Sequence, residues 1–588
     1  MSAQGNQPAP TTGPGRAPRG SACLNCRRRK FKCDGARPIC GPCIRTHREY
    51  DCEYTDGPTR SPTQLLEDNI ARLEARIYEL EHPESVAPSV TLHDPHTATA
   101  PPNTPIQLTP IASSSAGAAG SSAPSASYLM PQASLVTALD ATSEPSPDVV
   151  QMLVGFFLPH ANQVGFFLHH GRFREHALVP AADTRQARLS PALLNAVYLW
   201  GVHFSGNASM IAHEPVFLQR AVQAVSSALV RVPPYNIIYS IQAEVLLAHY
   251  FFAANRSLEG RYHSNAAVAL SLSCRLNKLR SSNNMPNPPG VLNVDLAPPA
   301  DALEEGERIN AFWCVFILDK SWSVRAGSPS HFNGSPGAQV DIPWPLQIED
   351  YAQRGIPPTL RSSLTMQTFL SGVSPELTQG MSPMALRAKA SALFERASRR
   401  ASQWTPAMAY VEQFAAELFV LENVIQQFVD ALPPLHGAPD PDTARDRLIT
   451  HTFALVASMQ VHSTLRQGQN GAPGRDLDAA RRAVAAIDSV NLAGIGYVDP
   501  IMAVLWTAVS RVLIGEIVRL RMIWTSASLL ADQAAAGAHQ QQHVEADHDG
   551  LIAALQKILT AMTTFAHTSP LMALQAATVR QELEGSAR

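Results

Sequence analysis

Six of the eight cysteines in this 588-residue chain fall within about thirty positions: Cys23, Cys26, Cys33, Cys40, Cys43 and Cys52. Their spacing is C-x2-C-x6-C-x6-C-x2-C-x8-C. A C-x2-C pair sets two thiolates on one tight turn, facing a single ion, and each pair here is followed by a third cysteine. Zinc takes four ligands in a tetrahedron. Two separate all-sulfur sites would need eight sulfurs. If two sulfurs serve both ions, six suffice. Thiolates are soft ligands and select zinc over magnesium or calcium. The arrangement predicts two Zn2+ per chain, with a thiol-rich metal buffer as the bland alternative.

Between the second and third cysteines lie Arg27, Arg28, Arg29, Lys30 and Lys32, five positive charges in six positions, with Asp34 the acidic residue close behind. The whole chain carries a net charge of −3. Bulk charge therefore excludes a histone-like binder, and any nucleic-acid contact must come from this local patch. A basic run alone also reads as a solvated face or a nuclear import signal. Inside a metal loop it gains a further use, because Lys and Arg can donate to guanine O6 and N7 in the major groove.

The stretch Ala22–Tyr54 resembles the fungal zinc binuclear cluster (Zn2Cys6) family of transcription factors. The resemblance is carried by Cys23-x2-Cys26-Arg27-Arg28-Arg29-Lys30-Phe31-Lys32-Cys33-Asp34, by Arg37-Pro38-Ile39-Cys40 and by Cys43. It implies that Cys23 and Cys40 bridge the two zinc ions, that Cys26 and Cys33 complete one site, and that Cys43 and Cys52 complete the other. It further implies a short helix whose end enters the major groove. Arg29 and Lys30, Lys30 foremost, would read bases of CGG-type triplets, while Arg27 and Lys32 would contact phosphates.

Downstream, Thr63, Leu66, Ile70, Leu73, Ile77 and Leu80 are spaced 3, 4, 3, 4, 3. Isoleucine at a with leucine at d favours a parallel two-stranded coil. Arg76 at g can face Glu81 at e of a partner. Residues 63–81 are thus expected to dimerise the chain, as a homodimer or with a relative, through Leu66, Ile70, Leu73, Ile77 and Leu80. Dimeric binding through such a coil is common in the resembled family. A lone amphipathic helix docked elsewhere is the alternative.

These features need elements to position them. Proline is abundant, at 46 residues, and charged residues make up only 16%. Residues 1–21 read as a disordered lead without the apolar core of a signal peptide, 55–62 as a breaker-rich linker, and 82–147, rich in Ser, Ala, Pro and Thr, as a disordered linker. From 148 to 588 apolar residues recur at helical spacing. Helices are expected at Ala192–Phe204, Glu214–Val230, Ile237–Ala254, Glu259–Leu279 and Glu304–Arg325. Others follow at Met384–Trp404, Tyr410–Ala431, Arg445–Arg466, Leu477–Asn491, Met502–Leu529 and Leu551–Phe565. No alternation argues for a large sheet, and no short repeat is evident. Pro500 to Leu520 is apolar but broken by Arg511, Glu516 and Arg519, so a membrane span is not expected.

Residues 148–345 resemble the fungal-specific transcription factor regulatory domain. The resemblance rests on Gly260-Arg261-Tyr262 with the helix through Ala267–Leu279, on Glu305–Asp319, and on Gly327-Ser328-Pro329 and Asp341-Ile342-Pro343. An enzyme finds little support: there is no G-x-S-x-G, P-loop or dinucleotide fingerprint. His169-His170 reads as a pair at a helix end, Cys274 and Cys314 as core thiols, and Gln540–Gln542 as a polar loop. The expected fold is mainly α: a small Zn2Cys6 cluster, a short parallel coiled coil, a disordered linker and a large all-helical regulatory domain. The expected function is a nuclear, sequence-specific regulator of RNA polymerase II transcription. Its expected partners are double-stranded DNA, a second chain, the transcription machinery and a small-molecule effector between helices, with no membrane. Alternatives are an accessory zinc protein without specific DNA binding, or a metabolic enzyme with an appended cluster.

Overall fold

The computed structural model describes residues 22–48, 51–52, 54, 145–179, 189–228, 237–283, 294–335, 337–372, 379–407, 412–469, 474–530 and 537–586. Backbone alone is described for 526–530 and 537–544. The expected coil at 63–81, the lead 1–21, the linker 55–62 and the linker 82–147 up to residue 144 lie outside the described residues. Contacts divide the chain into two units, 1–124 and 125–588.

In the first unit, helices α1 (Leu24–Arg28) and α2 (Gly41–Arg45) are each five residues long. Each starts right after a cysteine, Cys23 or Cys40, in extended conformation. Each ends with a residue in the left-handed region, Lys30 (φ 57°) or His47 (φ 51°). The following N–H then bonds back over the turn, Phe31 to the Cys26 carbonyl and Arg48 to the Cys43 carbonyl, both at 2.9 Å. Cysteine, helix and closing turn recur at an offset of 17 residues. This corrects the expectation that the chain holds no short repeat. Between the copies only the two cysteines and one arginine (Arg28, Arg45) are shared, so the repeat is conformational more than it is textual. Helices this short have no independent stability. Their core is sulfur: buried Cys23, Cys26, Cys40 and Cys43, with Cys33, Ile39, Cys52 and Tyr54 packed around them.

The second unit is helical, and its long elements fall where the apolar period places them. It runs α3 (Pro147–Phe157), α4 (His170–Ala177), α5 (Pro191–Phe204), α6 (Ala208–Ile211), α7 (Glu214–Ala228), α8 (Ile237–Ala253), α9 (Ser257–Ser273) and α10 (Ala302–Arg325). It continues with α11 (Ile348–Arg354), α12 (Thr365–Leu370), α13 (Pro383–Gln403), α14 (Glu412–Ala431), α15 (Pro441–Gln469), α16 (Arg475–Asp488), α17 (Ile501–Leu530), α18 (Gly537–Phe565) and α19 (Pro570–Gly585). Among the described residues, β structure is limited to one bridge, Ser281 with Ser362. A single apolar cluster runs through the unit, with Trp200, Trp313 and Trp506 fully enclosed. Helix α10 is buried along most of its length from Leu303 to Ser323, and α8 from Ile237 to Ala253. They are central, not half-exposed, elements.

Several expectations are corrected. Helices α3, α5, α13 and α19 each open on Ser-Pro, at 146–147, 190–191, 382–383 and 569–570. The serine hydroxyl caps the helix at three of them, accepting from the N–H of Leu193, Ala385 and Met572. Proline at N1 lacks only an N–H that would be orphaned anyway. These prolines start helices, and α3 begins at Pro147, the last residue of the stretch expected to be disordered. The helix expected over Glu259–Leu279 stops at Ser273, because Arg275 turns left-handed (φ 54°) and Leu276–Lys278 forms a 3-10 turn. Helix α18 starts fourteen residues earlier than expected, so Gln540–Gln542 is helical and not a loop. By length and composition Ile501–Thr525 could cross a membrane, yet two thirds of that window is buried within the unit. Trp506, Leu513 and Ile517 spend their apolar surface on neighbouring helices.

Helices α3 and α5 meet at Gly201, where a Cβ would lie 2.4 Å from the Leu153 carbonyl oxygen. Backbone cannot yield as a flexible side chain does. Gly201→Ala is therefore expected to destabilise the helical unit by about 1–3 kcal/mol through overpacking, read as a lowered melting midpoint in far-UV circular dichroism. An unchanged midpoint would show that the two helices slide apart at little cost.

Candidate metal centre and nucleic-acid interface

The first unit gathers all six cysteine sulfurs into two overlapping groups of four. One is Cys23, Cys26, Cys33 and Cys40; the other is Cys23, Cys40, Cys43 and Cys52. Cys23 and Cys40 belong to both. Within each group the sulfurs lie within 4.8 Å of one another. Cys40 Sγ is 3.7 Å from the sulfurs of Cys23, Cys26 and Cys52. With zinc–sulfur bonds near 2.3 Å, the edge of a ZnS4 tetrahedron is about 3.8 Å. The donor set and its spacing thus fit a Zn2Cys6-type site. Burial pushes the thiols of Cys23, Cys26 and Cys40 up. Thiols so crowded and shielded ionise together only when a cation lies among them.

Backbone and side chains around the sulfurs orient them. The Cys26 N–H donates to Cys23 Sγ (3.4 Å) and the Cys40 N–H to Cys52 Sγ (3.3 Å). Asn25 Nδ2, buried inside α1, donates to Cys43 Sγ at 3.3 Å and so ties the two halves together. Tyr54 closes the loop, its hydroxyl donating to the Ala36 carbonyl (2.8 Å) and lying 3.7 Å from Cys33 Sγ. The sequence reading passed over both residues. The available signal was position: one lies between the first two cysteines and the other two residues past the last.

The basic run flanks this core. Arg27, Arg28, Arg29, Lys30 and Lys32 are all exposed, from the last turn of α1 into the segment that follows. The Asp34 carboxylate accepts from the backbone N–H groups of Gly41 (3.0 Å) and Ala36 (3.2 Å), and one negative charge against five positive ones leaves the run strongly cationic. Phe31 stands 54% exposed in the middle of the run, with the Arg29 guanidinium 5.9 Å from its ring centre. The result is a cationic surface with an aromatic at its centre.

Residues weighed for catalysis take structural places. His169 caps α4, its Nδ1 accepting from the Arg172 N–H at 3.1 Å, and His170 is the helix's first residue. Cys274 and Cys314 are buried, and burial pushes their thiols up to about 11 and about 12. Neither is a nucleophile at neutral pH.

Residues 21–61 match the fungal Zn(2)-Cys(6) binuclear cluster domain, and residues 156–382 match the fungal specific transcription factor domain. The latter match runs past residue 345, where the resemblance was legible. The chain is similar to the citrinin biosynthesis transcriptional activator mrl3 of Monascus ruber, 26% identical over 351 residues, covering 56% of this chain and 64% of that protein. It is equally similar to the activator ctnR of Monascus purpureus, 26% identical over 351 residues, with 56% of each covered. These matches span less than two thirds of either relative's length. The transcription factor FBD3 of Gibberella moniliformis is 38% identical over 63 residues, 11% of this chain and 8% of that protein. No solved structure matches the chain. A zinc binuclear cluster domain and a fungal specific transcription factor domain are therefore both present in this chain, an architecture that points, with these similarities, to a transcription factor and not to an enzyme.

Proposed function

We propose that the protein is a nuclear, sequence-specific regulator of RNA polymerase II transcription that binds CGG-type triplets as a dimer. The observation that carries this reading is the pair of four-sulfur groups sharing Cys23 and Cys40, with an exposed cationic run leaving the helix between them. Cys23 and Cys40 would each serve two zinc ions, Cys26 and Cys33 one, and Cys43 and Cys52 the other. Bound zinc would offset most of the thiolate charge and lock α1 and α2 into one body. Arg29 and Lys30 then donate to guanine O6 and N7, and Arg27 and Lys32 hold phosphates and set the register.

The remaining organisation follows from the pattern of the chain. Residues 63–81 pair through Leu66, Ile70, Leu73, Ile77 and Leu80, and linkers at 55–62 and from 82 to the start of α3 connect cluster, coil and helical body. The body from 148 onward addresses the transcription machinery and responds to an effector. Architectures of this kind are typical of nuclear proteins, and the similarity to the transcriptional activators mrl3 and ctnR favours activation as the output.

The test is binding of the full-length protein to a CGG duplex and to a scrambled duplex, followed by fluorescence anisotropy. Lys30→Ala should cost roughly 1–3 kcal/mol on the CGG duplex and little on the scrambled one. Arg27→Ala should weaken both alike and reduce the salt slope by about one. A wild-type protein that does not discriminate the duplexes would favour the accessory zinc protein. Equal losses on both duplexes for Lys30→Ala would remove it from base readout.

A further inference from the structure

Three stretches that carry the resemblance to the regulatory domain meet at one cavity of about 360 Å3. Arg261 comes from the first, Asp319 from the second, and Ser328 with Pro329 from the third, and His331 follows just behind. The volume lies within the roughly 300–1,000 Å3 usual for small-ligand sites. Its base is the ring pair Phe252 and Trp322, stacked 3.7 Å apart at 3°. Gly260 closes on that pair, since a Cβ there would lie 2.6 Å from Phe252 Cδ1. Helices α8, α9 and α10 are thus packed around the cavity before anything enters it.

The charges in its wall are unbalanced. Arg261 and Arg325 are both exposed, and among the described residues neither is paired with a carboxylate. Neighbouring arginines are paired: Arg256 has Glu259 at 3.0 Å, and Arg511 has Glu582 at 2.8 Å. Burial, and then the nearby Arg511 cation, pull Arg325 below the usual guanidinium range, although it stays charged.

Asp319 is the one carboxylate among the lining residues, and its oxygens are already engaged. It is 4% exposed and accepts from Ser330 Oγ (2.6 Å), the His331 N–H (3.0 Å) and His331 Nδ1 (2.8 Å). The last contact lifts His331 above the usual imidazole range, against the nearby Arg261 charge, and leaves Nε2 for another partner. The carboxyl end of α10 is capped as well. The carbonyls of Trp322, Ser323 and Val324 accept from the N–H groups of Ala326, Ser328 and Gly327, each at 3.1 Å. Two guanidinium groups, an imidazole and the hydroxyls of Ser257 and Ser328 therefore border the space, opposed by one committed carboxylate.

We propose that this cavity binds the phosphate dianion of a small phosphorylated molecule, clamped by Arg261 and Arg325 with His331 as a further donor. Guanidinium forks match phosphate oxygens two at a time. A phosphate presents three oxygens to donors that come from three chain segments, whereas a carboxylate presents two in one plane. Occupancy draws α9, the end of α10 and the turn that follows it together. The proposal rests on reading this body as regulatory and gives its effector a charge.

The test is isothermal titration of the zinc-loaded full-length protein with glucose 6-phosphate, with inorganic phosphate, and with succinate as the dianionic carboxylate. Glucose 6-phosphate should bind with a Kd of about 0.1–1 mM, and succinate at least about tenfold more weakly. Arg261→Gln and Arg325→Gln, both at exposed positions, should each weaken glucose 6-phosphate at least about tenfold with far-UV helicity unchanged. Lys30→Ala, in the cationic run of the first unit, should leave it unchanged. Inorganic phosphate binding as tightly as glucose 6-phosphate supports the proposal, with the free ion as ligand. No heat from glucose 6-phosphate, equal binding of succinate, or unchanged affinity in both arginine variants overturns it. CGG-duplex binding, measured on the same samples, separates this failure from failure of the DNA-binding reading.

Discussion

Cys40→Ser should deprive the chain of both zinc ions, whereas Cys26→Ser should leave one. Cys40 belongs to both four-sulfur groups, with its sulfur 3.7 Å from those of Cys23, Cys26 and Cys52, while Cys26 belongs to one group alone. Losing Cys40 leaves three sulfurs in each group, and losing Cys26 leaves the group of Cys23, Cys40, Cys43 and Cys52 whole. A structural zinc contributes about 10–16 kcal/mol of folding free energy at neutral pH. The two five-residue helices have nothing comparable to replace it. Cys40→Ser should therefore unfold the first unit and abolish duplex binding, while the helical unit keeps its far-UV spectrum. Native mass spectrometry of the full chain reads the metal count directly. Equal zinc content in the two variants would reject the shared-sulfur arrangement.

The second large effect lies in the helical unit. Lys320 in α10 donates to Glu395 in α13 at 3.0 Å, with side chains only 5% and 6% exposed. Glu395 also receives Arg399 at 3.4 Å, and the Lys320 ammonium sits 5.6 Å from the centre of the Phe316 ring. Glu395→Ala strands a buried ammonium without its carboxylate, an expected loss of about 3–5 kcal/mol. With a melting entropy of about 2.1 cal/mol/K per residue, a body of roughly 440 residues shifts by about 1 °C per kcal/mol, so the melting midpoint should fall by about 3–5 °C. Replacing both partners by apolar residues, Lys320→Met with Glu395→Leu, should recover most of that loss, because it removes the desolvation cost along with the attraction. Thermal melts of the three proteins decide it. A double variant no better than Glu395→Ala would mean the damage comes from packing and not from charge.

The two units differ in how much of them the chain spells out. The metal site was legible because its information is local: six donors within thirty positions, in spacings that one ion geometry explains. The long helices were legible for the same reason, since the 3.6-residue period of buried side chains is written along each one. Their ends were not. Ser-Pro pairs at 146–147, 190–191, 382–383 and 569–570 open helices, with proline at N1 of each. Whether a proline ends one element or begins the next depends on what the following turn can bury. The left-handed Arg275 that ends α9 carries no glycine to announce it.

By itself, then, the sequence determined the donor atoms, the cationic run beside them and the helical character of the large body. Tertiary structure set Cys23 and Cys40, the pair that the resemblance implies is shared, in both four-sulfur groups. It alone decided that Asn25 and Tyr54 brace the sulfurs, that Lys320 meets Glu395, and that Arg261 and His331 line one cavity with Arg325. These pairings join positions as far as 75 residues apart. The physical reason is common to them all. Periodicity and ligand spacing act over a few residues of chain, whereas burial of a charge, or the meeting of several charges at one cavity, is set by whichever distant segments packing brings together.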